Sequence, residues 1–200
     1  MDRLLALIAL AHMFAIENHL ATKNYYTGVW AKDLPMQLLW RHIGLEDCRK
    51  AESIENSNPS WSWASIGGKI QYPYPPYSRE RITLRYIDCQ IVLKDKNDPF
   101  GEVQSAKLIL DGNLRKANWD GHVLCTLPSG VGYNTLRRAL TPVFDQPAKR
   151  LLGLVWLLYI YSSLRSCGYG LILENDKNGS VFKRISYFEA DLYSLGANWL

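Results

Sequence analysis

The chain has 200 residues, which is enough for one domain with a substantial core and too few for two large domains. Hydrophobic residues make up 48% and charged residues 21%, and these globular proportions exclude a long disordered chain. The net charge of +4 comes from scattered side chains, as in Arg137-Arg138 and Lys149-Arg150, so no basic stripe predicts a nucleic-acid partner.

The first residues form an apolar run from Leu4 to Ala11. Asp2-Arg3 before it carries no net positive charge, which argues against a secretory signal, and the run is shorter than the ~20 residues of a membrane-spanning helix. Helical spacing of its apolar residues predicts a helix over 2–20. A second helix is predicted over 33–41, with Pro35 in its first turn. Residues 1–45 are thus expected to form an N-terminal helical segment, without a membrane partner.

The next segment, 46–60, is polar and lacks periodicity, so it is expected to form a loop. From Trp61 onward the pattern favours an extended strand, in which Trp61, Trp63 and Ser65 share one face. The paired tryptophans have two interpretations, a stacking surface for a sugar or base and a structural support within the core. The structural interpretation is favoured.

The remaining chain predicts a series of strands separated by turn residues such as Asn178-Gly179. The apolar run 151–161 fits a buried strand or a buried helix, and its aromatic and branched residues favour the strand. The predicted strands are 81–93, 105–114, 122–127, 151–161, 169–174 and 181–189. The expected fold class is α+β and mostly β, with N-terminal helices packed on an antiparallel β sandwich or partly closed barrel. Residues 61–200 are expected to form the β-rich domain, in one compact unit with the helices.

No pattern in the sequence predicts a catalytic centre, a metal ligand set or a cofactor. The four cysteines are far apart, and the four histidines include no pair at ligand spacing. Cys125 with His122 stays open as a nucleophilic pair, although neighbours on a strand are not in catalytic geometry. The carboxylates of the strand region suggest glycoside hydrolysis, but the sequence defines no pair across a cleft. These carboxylates are Asp88, Asp98, Glu102 and Asp111.

Several segments, taken in order, resemble the region that follows the HET domain in fungal heterokaryon incompatibility proteins. They begin with Asp2-Arg3-Leu4-Leu5-Ala6-Leu7 and continue through 26–40, Pro59-Ser60-Trp61-Ser62-Trp63-Ala64-Ser65 and 98–112, to 169–174 and 182–189. The order and spacing of these motifs make the resemblance specific, and it covers almost the whole chain. The signature residues are Trp30, Asp33, Leu34, Pro35, Gln37, Leu38, Trp40, Pro59, Trp61, Trp63, Ser65, Asp98, Pro99, Phe100 and Gly101.

This resemblance implies a role in nonself recognition and programmed cell death after fungal hyphae fuse. In that family the death-inducing activity is associated with the HET domain, whose Ala-Leu-Ser-Tyr-x-Trp-Gly type of motif is missing from these 200 residues. The chain is therefore expected to be a fragment or a stand-alone remnant, and a cytoplasmic, non-enzymatic module that restrains or positions an effector. Its expected partner is a HET domain, in cis or in trans. The alternative is an aromatic-surface carbohydrate-binding or glycoside-processing β domain.

Overall fold

The computed structural model describes residues 3–43, 58–66, 68–72, 81–119, 124–126, 140–144, 153–162, 167–176 and 180–191. In these ranges the protein is mostly β, with one α-helix and antiparallel sheets. The helix is α1 (Arg3–Glu17). The strands are β1 (Tyr25–Tyr26), β2 (Val29–Trp30), β3 (Arg41–Ile43), β4 (Lys69–Gln71), β5 (Arg81–Ile82), β6 (Arg85–Leu93), β7 (Val103–Asp111), β8 (Leu114–Trp119), β9 (Leu124–Thr126), β10 (Leu140–Phe144), β11 (Gly153–Ser162), β12 (Cys167–Asn175) and β13 (Phe182–Asp191).

The main sheet has the strand order β10-β13-β12-β11-β8-β9, and β5 also pairs with β11. Its central strand β11 is the apolar run that sequence alone left between helix and strand, so the prediction of a strand is confirmed. Alternate residues of β11 enter two hydrophobic clusters, with Leu157 and Tyr159 in one and Leu158 and Ile160 in the other. Because both faces of this strand are buried, its sequence is continuously apolar.

A two-stranded ribbon, formed by β6 and β7, leaves the main sheet between β8 and β5, which both pair with β11. Near its base, Leu108 and Leu110 pack against the cluster that contains Leu158. At its tip, Phe100 is 1% exposed and belongs to a separate cluster with α1, Tyr25 and Trp30. The ribbon thus connects the core of the main sheet to the N-terminal region.

The first predicted helix is confirmed as α1. It packs through Ala11 and Ala15 against Trp30 and Phe100, so its small residues face the hairpin of β1 and β2 and the tip of the ribbon. Leu10, Met13 and Ile16 of this helix are exposed to solvent.

The second predicted helix, 33–41, is wrong. In its place are single 3₁₀ turns at Ala31–Asp33 and Met36–Leu38, followed by strand β3. Leu38, Leu39 and Trp40 are consecutive and all fully buried. A surface helix buries one stripe with a period of 3.6 residues, whereas three neighbouring buried side chains require a chain that turns between them. Residues 1–45, which were expected to be a helical segment, contain three short strands, β1, β2 and β3.

The strands predicted over 81–93, 105–114, 169–174 and 181–189 are present within one to three residues of their expected ends, except that 81–93 is split into β5 and β6. The segment 122–127 contains β9. Sequence reasoning did not identify β8 or β10. The predicted loop 46–60 and the turn at Asn178-Gly179 lie mostly or wholly outside the described residues, as does His122. No helix in the described ranges is long and apolar enough to cross a membrane.

Candidate functional site

The tryptophan segment, defined as residues 59–66, is a turn and not the strand predicted from its sequence. The Ser62 amide donates to the Pro59 carbonyl at 2.9 Å, and a 3₁₀ turn follows at Trp63–Ser65. Ser62 is fully buried, and its hydroxyl accepts a hydrogen bond from the Ala64 amide at 3.1 Å. The same hydroxyl donates to the Thr27 carbonyl. Serine side chains that bond nearby backbone in this way compete with the strand ladder.

Trp63 packs against the turn of the β1–β2 hairpin. Its indole N–H donates to the Gly28 carbonyl at 2.8 Å. Thr27 and Gly28 both have positive φ, 46° and 95°, as the central residues of a two-residue type I′ hairpin turn do. A Cβ at position 28 would lie 2.7 Å from the Trp63 indole nitrogen, so this contact needs glycine.

Trp40 and Arg184 form the centre to which the tryptophan segment is attached. The Trp40 side chain is fully buried, and its indole N–H donates to the Trp61 carbonyl at 3.0 Å. The Arg184 guanidinium carbon lies 3.3 Å from the Trp40 ring centroid. The two terminal guanidinium nitrogens donate hydrogen bonds to the Leu38 and Trp40 carbonyls. The Arg184 amide also donates to the Ser60 hydroxyl at 3.0 Å. One residue of β13 thus binds both the segment that contains Leu38 and Trp40 and the tryptophan segment.

Arg184 is only 4% exposed. Removing its charge from water costs free energy, which the hydrogen bonds to the two carbonyls and the contact with the Trp40 ring must offset. Planar guanidinium groups suit this position because they stack on an aromatic face while they donate several hydrogen bonds in the same plane. The role of Arg184 was not predicted from the sequence. The adjacent residue, Lys183, is exposed, and the two basic side chains look equivalent in the sequence.

A second group of signature residues lies around Trp30. The Gln37 side chain accepts a hydrogen bond from the Trp30 amide at 3.0 Å and donates to the Asp33 carboxylate at 3.2 Å. Leu34 packs on the cluster that contains fully buried Leu38. Pro35 follows Leu34 through a cis peptide bond. These contacts fix the path of the chain between β2 and β3.

The loop at the ribbon tip holds the last signature residues. The Asp98 carboxylate accepts a hydrogen bond from the Phe100 amide at 3.1 Å, and the Gly101 amide donates to the Asp98 carbonyl at 3.0 Å. The Phe100 ring contacts those of His12 and Tyr25, with centroids 4.2 and 4.9 Å away. Asp98 is therefore part of a turn that directs Phe100 into the N-terminal cluster. Pro99 lies within this turn and is partly buried.

The other carboxylates considered for glycoside chemistry have structural contacts of their own. Asp111 pairs with Arg85 at 2.8 Å, and Glu102 pairs with Lys94. Within the described ranges no group of three or more His, Cys, Asp or Glu residues is arranged to hold a metal ion. Cys125 lies on β9, outside the residues whose side chains are described. Burial, with the neighbouring Asp88 carboxylate second, raises the pKa of the Cys89 thiol to about 12, which keeps it protonated and poorly nucleophilic at neutral pH.

Neither tryptophan of the segment is freely exposed. Trp61 is half-buried and packs on the cluster that contains Leu38, while half-buried Trp63 lies on the Gly28 turn. The Ser65 hydroxyl closes the segment with a 3.5 Å hydrogen bond to the Ser60 carbonyl. These contacts favour the structural interpretation of the pair over a stacking surface. Comparison of the chain with protein-family models, curated proteins and solved structures found no match.

A cluster of tyrosines on β11, β12 and β13 was not predicted. The Tyr161 and Tyr169 rings stack with centroids 4.6 Å apart and an interplanar angle of 8°, and Tyr187 lies 6.4 Å from Tyr169. The buried Tyr187 hydroxyl has no hydrogen-bond partner within the described part of the chain. Burial, followed by the Glu189 carboxylate, raises the pKa of Tyr187 above its ordinary value of 10.0. Single tyrosines at positions 161, 169 and 187 give no sequence signal, because strand pairing alone brings them together.

We expect the substitution Tyr187→Phe to raise the free energy of unfolding by about 1 kcal/mol, because it removes a buried hydroxyl that lacks a partner. Urea unfolding at neutral pH measures this change. The pKa of Tyr187 is higher in the folded protein than in the unfolded chain, where it is about 10. Above that pH the unfolded chain is stabilised by deprotonation before the folded protein is, so the wild type loses stability as pH rises. The Phe variant should lose less over that range. A destabilised variant would mean that the hydroxyl makes a favourable contact.

Proposed function

We propose that the chain is a non-catalytic companion module of a fungal heterokaryon incompatibility protein, acting in the cytoplasm on a HET effector domain in cis or in trans. The observation that supports this proposal is the mutual contact of the signature segments. Trp40 donates to Trp61, Trp63 packs on the turn before β2, and Phe100 contacts the Trp30 cluster. Residues that are far apart in the sequence signature thus form one framework.

Such contacts give the signature residues a structural role at their positions, without any chemical role. The indole N–H groups and the Gln37 amide are used in internal hydrogen bonds, and Leu38 and Phe100 fill the core. A module of this kind acts through its surface, which fits restraint or positioning of an effector better than turnover of a substrate. The expected sandwich or partly closed barrel belongs to this proposal, supported by the ribbon that packs its leucines over one face of the sheet.

The proposal is tested by binding and by toxicity. We expect the purified chain to bind an isolated HET domain of a fungal incompatibility protein in isothermal titration calorimetry. We also expect expression of the chain alone in a fungal host to cause no growth arrest. A chain with Arg184→Ala, which loosens the framework, is expected to bind the HET domain more weakly. Cell death caused by the chain alone would contradict the proposal, as would an absence of binding to every HET domain tested.

A further inference from the structure

Strand β7 of the ribbon has one edge without a partner strand. Among the described strands it pairs only with β6, and its backbone groups make no hydrogen bond to other described residues outside this ladder. Every residue from Ser105 to Asp111 has a partner in β6, so these seven residues follow one another without a bulge of their own. The free edge of β7 is therefore a regular row of unpaired backbone N–H and C=O groups.

Three other edge strands in the described part of the chain carry features that hinder further pairing. Strand β10 ends the main sheet on one side and contains Pro142, which has no N–H to donate. Strand β9 ends the main sheet on the other side and has only three residues. Strand β6 has an extra residue, Ile87, at a register shift, and such irregularities bend an edge. Residues 105–111 contain none of these features, and an edge left regular is a site for strand pairing.

The outward face of β7 carries opposite charges at equal distances from its centre. Lys107 and Asp111 are exposed, and half-buried Ile109 lies midway between them on the same face. Leu108 and Leu110 lie on the opposite face, which packs against the core. A strand that runs antiparallel to β7 about Ile109, with the same sequence, would place a lysine opposite an aspartate at both ends.

We propose that β7 pairs with β7 of a second copy of this chain, antiparallel, about a two-fold axis at Ile109. The two ribbons then form one four-stranded sheet. Rotation about this axis places position 107 of each copy opposite position 111 of the other, and position 108 opposite position 110. Cross-strand pairs of opposite charge stabilise a sheet, and a two-fold interface requires a self-complementary surface of this kind.

The neighbours of β7 agree with this register. Arg85 of β6 pairs with Asp111 at 2.8 Å, so in the joined sheet each Asp111 lies between Arg85 of its own copy and Lys107 of the other. Charges of opposite sign thus alternate across three strands. Gly112 and Asn113, which follow Asp111, are also exposed, so this end of the free edge is accessible to a second strand. The proposal does not depend on the function proposed above.

The first test is the oligomeric state in solution. Sedimentation velocity of the wild-type chain over about a hundredfold range of concentration should show a monomer–dimer equilibrium. Ile109→Lys should weaken the dimer by at least about tenfold, because two positive charges would meet at the axis. The control is Val92→Lys on β6, where the side chain is 49% exposed, and it should leave the equilibrium unchanged. A wild type that is monomeric across the range would overturn the proposal, as would a dimer that Ile109→Lys does not weaken.

The second test fixes the register by disulfide cross-linking, with glutathione disulfide as the oxidant. Residues directly opposite in an antiparallel pair have Cα atoms about 4.5–5.5 Å apart, which a disulfide can span, so Ile109→Cys should give a covalent dimer. Lys107→Cys places its two new thiols about 14 Å apart along the strands, so it should give no more covalent dimer than the wild type with its native cysteines.

Non-reducing gel electrophoresis measures the covalent dimer, and circular dichroism checks that each variant keeps the wild-type fold. Failure of Ile109→Cys to cross-link above the wild-type level would overturn the pairing about Ile109. Efficient cross-linking of Lys107→Cys would do the same, because it would place the axis at a different residue.

Discussion

Replacement of Arg184 by Ala is expected to lower the free energy of unfolding by about 3–5 kcal/mol. The buried guanidinium stacks on the Trp40 ring and donates to the Leu38 and Trp40 carbonyls. Without it, these two carbonyls lose this donor, and the Trp40 ring loses the group packed on its face. Urea unfolding followed by tryptophan fluorescence measures the change.

Two further variants separate the role of Arg184 from charge alone. Arg184→Lys keeps the charge but cannot form a planar fork of hydrogen bonds, so it should cost less than Ala and more than about 1 kcal/mol. Lys183→Ala, one residue earlier, removes an exposed basic side chain and should stay within about 0.5 kcal/mol of the wild type. A cost below about 1 kcal/mol for Arg184→Ala would show that Arg184 is not central to the framework.

The role of Arg184 could not be predicted from the sequence because its partners are distant along the chain. The carbonyls that it binds lie 146 and 144 residues away. Local periodicity carries information about which face of a strand is buried, but not about what lies across that face. The sequence therefore identified β13 and its approximate ends without distinguishing buried Arg184 from exposed Lys183.

Elements with strong periodicity were predicted well. The apolar run in β11 reflects a burial pattern that covers most of its ten residues. Helix α1 was found within three residues of its expected ends, although several of its large apolar side chains are exposed. The short elements of the N-terminal region failed because specific hydrogen bonds decide their shape. In the tryptophan segment the burial alternates as in a strand, with Ser62, Ala64 and Ile66 buried, although the backbone turns. A two-residue period in burial is thus insufficient evidence for a strand when a side chain can bond the local backbone.

For the candidate site, too, some features could be predicted from the sequence and others could not. The residues of the framework were selected through the resemblance, by the order and spacing of the motifs that contain them. The sequence could not show that Trp63 meets Gly28 or that Trp40 meets Trp61, because these contacts join parts of the chain with no periodic relation. It also could not show that Leu10, Met13 and Ile16 of α1 are exposed. Apolar residues occur on all sides of this helix, and only its packing distinguishes the buried side from the exposed one.

The contact between Gly28 and Trp63 predicts a measurable energetic coupling. Gly28→Ala should destabilise the wild-type protein by about 3 kcal/mol, as the sum of left-handed backbone strain of about 1–2 and the displacement of the indole. In a Trp63→Ala background the indole is absent, so Gly28→Ala should cost only the backbone strain, about 1–2 kcal/mol. Urea unfolding of the wild type, both single variants and the double variant completes the cycle.

Trp63→Ala alone should cost about 2–4 kcal/mol, because it removes a half-buried indole and its hydrogen bond to the Gly28 carbonyl. The matched control is Gly153→Ala, which has a similar positive φ of 121° but no atom within 4 Å of the added Cβ. It should show backbone strain without coupling to Trp63. Equal costs of Gly28→Ala in both backgrounds would mean that the indole does not rest on this turn, and the structural role of the tryptophan segment would then lose its main support.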